Sequence, residues 1–421
     1  MKRIVIIGGG ASGLAAAVTA AEQGCDVTVL EQKEKTGKKI LATGNGRCNL
    51  TNLQISEVCY RSRNQEFPMK VIRQVSVEET LKFFNQLGLL TKDRNGYVYP
   101  VSDQASSVAE LLAEAAKDRG AKLVCSSRVT AVDVRKKGFR VTAMETEGEK
   151  TYDCDKVILA SGSKASPVTG SDGSGYILAK ELGHHVIEPL PALVQLVGKG
   201  GWLRRVAGVR TEATVTLMLD GIPVAEDRGE LQLTDYGISG IPVFQVSRYA
   251  SVGLYEGKQV RASIDFLPFM EQNKVTEFLF DRRERLSYLS GAKFLSGVLA
   301  EKLACVLLSE AGISLTDQVK QIPDRKLEKL AALAKGFSLL ITGTKSFEQA
   351  QICCGGVDTS QVDSRTMESR ILPGFYLTGE ILDVDGICGG YNLQWAWSTG
   401  ILAGRAAAGA NKETRETDDQ N

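Results

Sequence analysis

The segment from Ile4 to Glu31 restricts the folds open to this chain more than any other. Ile4, Val5, Ile6 and Ile7 form an unbroken apolar, β-branched run, the pattern of a strand buried on both faces of a parallel sheet. Gly8, Gly10 and Gly13 follow in GxGxxG spacing. An Ala-rich helical stretch from Ser12 to Gln23 stops at Gly24, and a second strand, Asp26 to Leu30, ends at Glu31. In such a unit the first glycine permits a tight turn from strand to helix, the second lets backbone approach a pyrophosphate, and the third lets the helix pack closely on the strand. The helix N-terminus, with Ala11 and Ser12 in its first turn, offers free N–H groups to phosphate. Glu31, roughly 20 residues beyond the last glycine and followed by Gln32, sits where a carboxylate accepts both hydroxyls of a ribose. An acid there also disfavours a 2′-phosphate. These features predict a dinucleotide site and leave NAD and FAD both open.

Composition removes several alternatives. Lys and Arg total 51 against 50 Asp and Glu, a formal net charge of +1, so no long-range field draws a polyanion and no nucleic-acid partner is expected. The nine Cys are odd in number and form no CxxC, which suits a reducing cytoplasm and argues against a dithiol relay. Cys353 and Cys354 are expected as core thiols. Only His184 and His185 exist, so no metal site and no His-centred triad is expected, and the chemistry has to come from a bound cofactor. Lys2, Arg3 and the apolar residues after them imitate a secretory signal, but consecutive glycines and a following strand that ends in an acid do not belong to one. With no other uncharged stretch of about 20 residues, the expectation is a soluble cytoplasmic protein acting on a small molecule.

Residues 35–52 are too glycine-rich and polar for a helix or a buried strand, and read as a ligand-facing loop. Gly37, Gly44 and Gly46 allow close backbone approach, while Lys38, Asn45, Arg47 and Asn49 supply donors. A solvated surface loop is the alternative. Ser76 and Glu79 stand in capping-box spacing at the start of a helix over 76–87, and 102–119 reads as another. Strands are expected at 121–125, 128–134 and 139–145. The apolar strand 156–162 then ends in the small Ser161 and Gly162, and a helix runs to Leu182. From about Ala192 the period changes to two, followed by expected helices at 271–288, 293–310 and 324–334, so an inserted β unit carries a helical subdomain.

The α/β alternation returns at 374–380, which places Gly379 and Glu380 at the carboxyl edge of the sheet, where open α/β folds bind ligands. Asp383, Asp385, Gly386, Gly389 and Gly390 lead into a second helix N-terminus at Tyr391 and Asn392, whose dipole would favour an anionic reduced flavin. A fingerprint at one end of the chain and a second glycine-rich, acid-bearing site at the other fit an extended FAD. There is no second fingerprint for a dedicated NAD(P)H domain.

The runs 44–52, 366–370, 379–385 and 389–395 resemble those of the BaiN-like (YhiN-like) FAD-dependent oxidoreductases, which include aminoacetone oxidases, and the similarity extends from Met1 to about Gly409. The resemblance implies an α/β fold: a split Rossmann-type FAD-binding domain (1–191 and 341–410) interrupted by a β-barrel-like domain (192–270) with a helical subdomain (271–340). A disordered tail is expected over 411–421. It further implies that Gly8, Gly10, Gly13, Glu31, Lys38, Arg47, Asn49, Glu380, Asp385 and Tyr391 to Leu393 surround the cofactor. Ala11, Ser12, Gln32, Gly44, Gly46 and Cys48 are expected with them on the N-terminal side. Val129, Ser161, Gly162, Gly379, Gly389, Gly390, Asn392 and Leu393 complete the set. Cys353 and Cys354 depart from the small or hydroxylated residues that relatives carry before the paired glycines.

The expected reaction is reduction of an activated carbon–carbon double bond, with 3-oxo-Δ4,6 steroid or bile-acid intermediates as the family example. NAD(P)H is the possible transient donor, hydride passes through flavin N5, and Tyr391 or Arg47 polarises an oxygen. An oxidase of a small amine and a flavoprotein acting on RNA or merely binding flavin remain as alternatives. Trp202, Tyr236, Phe244, Phe266 and Phe269 either line an apolar pocket or belong to the core.

Overall fold

The computed structural model describes residues 1–409; the tail expected over 411–421 lies outside the described residues. The chain divides into two compact units, Met1–Pro189 with the residues from Ile352 onward, and Leu190–Gln351. No helix among the described residues is long and apolar enough to cross a membrane.

The first unit is built on a five-stranded sheet in the order Phe375–Leu377, Lys156–Leu159, Arg3–Ile7, Asp26–Leu30, Lys122–Val124. All its pairings are parallel, and Ile6 stands between Ile158 and Val29. The apolar run Ile4 to Ile7 takes the central position because only a fully apolar strand can be covered on both faces, and all four residues are buried. Helix Ala11–Glu22 follows the first strand directly, and helix Tyr391–Ala408 packs along it. That approach depends on glycine. A Cβ on Gly400 would lie 2.3 Å from the Ser12 carbonyl oxygen, and one on Gly404 would lie 2.7 Å from that of Ala16. Two antiparallel three-stranded sheets flank this core, one from 128–134, 139–145 and 148–154, the other from 51–52, 97–100 and 91–94.

The second unit holds a closed six-stranded barrel in the order Leu196–Lys199, Gly237–Gly240, Ile222–Leu233, Arg210–Leu219, Val260–Asp265, Phe337–Thr344. Helices Gln272–Arg285, Glu301–Glu310 and Asp324–Lys335 lie between the last two strands in sequence. Phe266 is core, and Trp202 packs edge-on against Phe337 with ring centroids 4.8 Å apart, whereas Phe269 is exposed.

Three sequence expectations need correction. Residues 35–52 are not all loop, because Lys38–Ala42 forms a short helix that buries Ile40. The β unit contains a 15-residue helix, Ile241–Tyr255, opened by Pro242 in its first turn, where proline's missing N–H costs nothing. The helix expected over 293–310 starts at Glu301, since Gly297 adopts a left-handed conformation (φ 77°) ahead of it.

His184 is buried against Phe375, with Nδ1 3.3 Å from the Ala179 carbonyl and Nε2 2.8 Å from the Ser369 hydroxyl. The carbonyl requires an Nδ1–H, and the Ser369 oxygen already accepts from the Ile371 and Leu372 N–H groups, so its hydroxyl donates to Nε2 and the ring is neutral. Burial pushes its pKa below the usual 6.5. The unfolded chain therefore binds this proton more readily than the folded one. Stability from this group is complete above about pH 6.5 and declines as pH falls below it. Urea unfolding between pH 5 and 8 should show this slope, and His184→Gln should flatten it.

Candidate functional site

The N-terminal strand, turn and helix form a cradle. Gly8 has φ 104°, and a Cβ there would meet the Ala160 carbonyl oxygen at 2.5 Å. On Gly13 it would lie 1.9 Å from the Gly8 carbonyl oxygen. Gly10 is different: its backbone is extended (φ −82°, ψ −163°) and a Cβ would find nothing within 4 Å. Space therefore opens before the first turn of helix Ala11–Glu22, and no side chain caps that helix. An uncapped N-terminus facing open space is suited to phosphate oxygens.

Glu31 closes one side. Its carboxylate accepts 2.8 Å hydrogen bonds from the Gly9 and Lys33 N–H groups, while its carbonyl accepts from Ser127, two residues before the buried Val129. Burial raises the carboxyl pKa despite those two bonds. Each carboxylate oxygen keeps a lone pair for a hydroxyl donor. The Gln32 amide donates to the Gly170 carbonyl. At the end of the neighbouring strand the Ser161 hydroxyl is buried with no hydrogen-bond partner among the described residues, beside the left-handed Gly162 (φ 74°).

The C-terminal half lies against this cradle. A Cβ on Gly379 would be 2.7 Å from the Ser12 hydroxyl oxygen, and the Trp395 indole N–H donates to the Gly379 carbonyl at 3.0 Å. Glu380 accepts from Lys39 at 2.5 Å and from the buried Ser163 hydroxyl at 3.1 Å. Lys38 instead pairs with Glu34 at 2.8 Å, away from Glu380. Lys39 and Ser163 were not among the expected site residues. The missing signal was helical phase: once Lys38–Ala42 is helical, adjacent lysines face different ways.

Around the second helix N-terminus the loop 43–49 turns sharply, with Gly44, Asn45, Gly46 and Cys48 all at positive φ. Cys48 is fully buried, which pushes its thiol up to about 12. Asn49 holds a buried Oδ1 with no hydrogen-bond partner among the described residues, 2.9 Å from where a Gly390 Cβ would stand. The Tyr391 hydroxyl donates to the Gln54 carbonyl at 3.1 Å, and its ring packs edge-on against Tyr60. The Asn392 side chain accepts from the Gly386 N–H and donates to its carbonyl, at 2.8 and 3.0 Å, so it closes the loop 386–392. Leu393 packs against the core and Asp385 is buried on a two-residue strand paired with Tyr60–Arg61. Arg47 is exposed. The open position at Gly10, the Glu31 carboxylate and the unpaired Ser161 and Asn49 atoms fit an extended dinucleotide.

The profile of the HI0933-like protein Rossmann domain matches residues 2–406. The chain belongs to the HI0933-like family. This HI0933-like chain is 49% identical over 410 residues to the 3-dehydro-bile acid delta(4,6)-reductase of Clostridium scindens, covering 97% of this chain and 99% of the relative. It is 29% identical over 397 residues to the ribosomal RNA dihydrouridine synthase of Haemophilus influenzae, covering 94% and 96%. Among solved structures, 3-ketosteroid delta1-dehydrogenase from Sterolibacterium denitrificans is similar in fold, with a TM-score of 0.50 at 11% identity over 98% of this chain and 100% of that one. The HI0933-like chain is an FAD-dependent oxidoreductase.

Proposed function

We propose that this chain reduces a carbon–carbon double bond conjugated to a ketone, in a 3-oxo-Δ4,6 steroid or bile-acid-type substrate, with NAD(P)H as electron donor. The observation that carries this reading is the 49% identity, across nearly the whole of both chains, to a relative named as a bile acid delta(4,6)-reductase. Bound FAD would supply two-electron hydride chemistry between NAD(P)H and the double bond. One proton from solvent or a side chain balances the reaction.

The residues divide the work as follows. Gly8, Gly10 and Gly13 with the N–H groups of Ala11 and Ser12 hold the pyrophosphate, and Glu31 accepts the ribose hydroxyls. Glu380, fixed by Lys39 and Ser163, and the turn Gly389–Gly390 at the second helix N-terminus hold the other half. Because the Tyr391 hydroxyl already donates to a backbone carbonyl, Tyr391 is assigned to positioning. The exposed Arg47, whose Nε donates to the Gly44 carbonyl and which forms no ion pair with a carboxylate among the described residues, is assigned to meet substrate.

The test is anaerobic. NADH or NADPH should bleach the yellow protein, and a 3-oxo-4,6-diene steroid should restore the colour with loss of the dienone absorbance. Failure of both nicotinamides to bleach the flavin, with oxygen consumed on addition of an amine, would overturn the reading. The 29% relative favours a second one, saturation of a uracil ring in ribosomal RNA, which is the same reaction on a different conjugated double bond. Reoxidation by ribosomal RNA but not by the dienone would select it.

A further inference from the structure

Beside the glycine turns of the site, the sheet of 51–52, 97–100 and 91–94 presents one face made of cations and tyrosines. Arg94 pairs with Tyr97 across the strands and Lys92 with Tyr99, so these four side chains share a face. The face abuts both turns. A Cβ on Gly389 would lie 2.9 Å from the Tyr97 ring, and one on Gly44 would lie 3.5 Å from the Tyr99 ring.

Its charge is not balanced. Lys92 and Arg94 both bind Asp103, the latter at 3.0 Å. Lys92 above all, with Arg94 and Arg47, holds the Asp103 carboxyl below the usual carboxylate range. Arg47 itself has no carboxylate partner among the described residues: its Nε donates to the Gly44 carbonyl at 3.3 Å, and its guanidinium stands 5.4 Å from the Tyr99 ring centroid. The Arg94 guanidinium lies 5.9 Å from the same centroid. Three cations thus surround one carboxylate, in a chain whose total is +1. Both guanidinium groups lie within about 6 Å of the Tyr99 ring centroid, and the single carboxylate of Asp103 leaves charge there for a further anion. Planar guanidinium groups also match a carboxylate with two hydrogen bonds each. Tyr97 adds a ring that is 41% exposed, and its hydroxyl has no hydrogen-bond partner among the described residues.

We infer that Arg47 and Arg94, mounted on Tyr99 and backed by Lys92, form a subsite for a carboxylate of the substrate, with the Tyr97 ring against the carbon skeleton. This rests on the proposed double-bond reductase activity and narrows its substrate to acids. It assigns Arg47 to holding the acidic tail, not to polarising the ketone.

The experiment compares a 3-oxo-4,6-diene steroid acid with its methyl ester, as KM in turnover and as Kd from perturbation of the flavin spectrum of the oxidised holoprotein by the corresponding saturated ketones. The wild-type protein should favour the acid roughly 10-fold, and added salt should reduce that ratio. Arg94→Gln should bring the ratio close to one, and Arg94→Lys should restore part of it. Retention of the lysine variant's preference also shows that the site has kept its fold. Equal binding of acid and ester by the wild-type protein, or a loss in Arg94→Gln that is the same for both, would overturn the subsite. So would a loss of ribosomal RNA retention in Arg94→Gln with no acid preference in the wild type, which would make the face a polyanion surface. If no dienone is turned over but the acid still binds more tightly than the ester, the subsite stands and the reductase reading falls.

Discussion

Gly10→Val is expected to give a well-folded, colourless protein, whereas Gly13→Ala is expected to lose flavin and much of its stability. The two glycines are three residues apart and belong to one motif, but the space around them differs. A Cβ at Gly10 meets no protein atom within 4 Å and the backbone there is extended, so apoprotein stability should stay within about 0.5 kcal/mol of the parent. The same methyl groups fill the opening in front of the uncapped helix, and FAD should bind roughly 100-fold more weakly. At Gly13 the added carbon would stand 1.9 Å from the Gly8 carbonyl oxygen. Relief requires the first strand and helix to part, at a cost of roughly 3 kcal/mol or more. Alanine's better helix propensity, worth about 1 kcal/mol, does not offset that. Urea unfolding of the apoproteins and titration of flavin fluorescence separate the two outcomes. Normal FAD binding by Gly10→Val would mean that the opening is not where the pyrophosphate lies.

Glu31→Gln is expected to weaken FAD binding by 10- to 100-fold, on the order of two charge-assisted hydrogen bonds made neutral or lost. It should also change the pH response. Burial raises the Glu31 pKa, so the folded apoprotein holds this proton more tightly than the unfolded chain does. Its contribution to stability is therefore greatest below the ordinary carboxylate pKa of 4.5 and is lost as pH rises through the raised value. FAD binding follows the opposite sense, since the ribose hydroxyls need an ionised acceptor. Measured from pH 4 to 7 as the difference between the wild-type protein and Glu31→Gln, which cancels the opposing slope from His184, the denaturation midpoint should fall with rising pH while FAD affinity rises.

Much of the site was legible because its information is local. The run Ile4 to Glu31 states strand, turn, helix, strand and acid in one stretch, and the structure places Glu31 on the Gly9 N–H. The nearness of the two chain ends was also readable, because Gly379 and Glu380 ended a strand of the right type, and the structure brings Gly379 against Ser12. What failed depended on tertiary context. The Lys39–Glu380 pair was not foreseen, since the burial of Ile40, which winds Lys38–Ala42 into a helix, has no sequence signature among so many glycines. Helix Ile241–Tyr255 hid behind Gly240 and Gly253, with Pro242 as the unread start signal. Tyr391 and Asn392 were assigned to the cofactor by position, and only the fold shows the Tyr391 hydroxyl on Gln54 and the Asn392 amide on Gly386.

The seating of Gly400 and Gly404 on Ser12 and Ala16, together with the Lys39–Glu380 pair across 341 residues, has a consequence for biosynthesis. These contacts are of very high sequence separation, and such contacts form late. A nascent chain on the ribosome displays the fingerprint early but has no partner for the exposed face of its first helix until Tyr391–Ala408 has emerged. Assembly of the first unit therefore waits until Tyr391–Ala408 has emerged, and until then the barrel unit is free to fold ahead of the unit that was begun first.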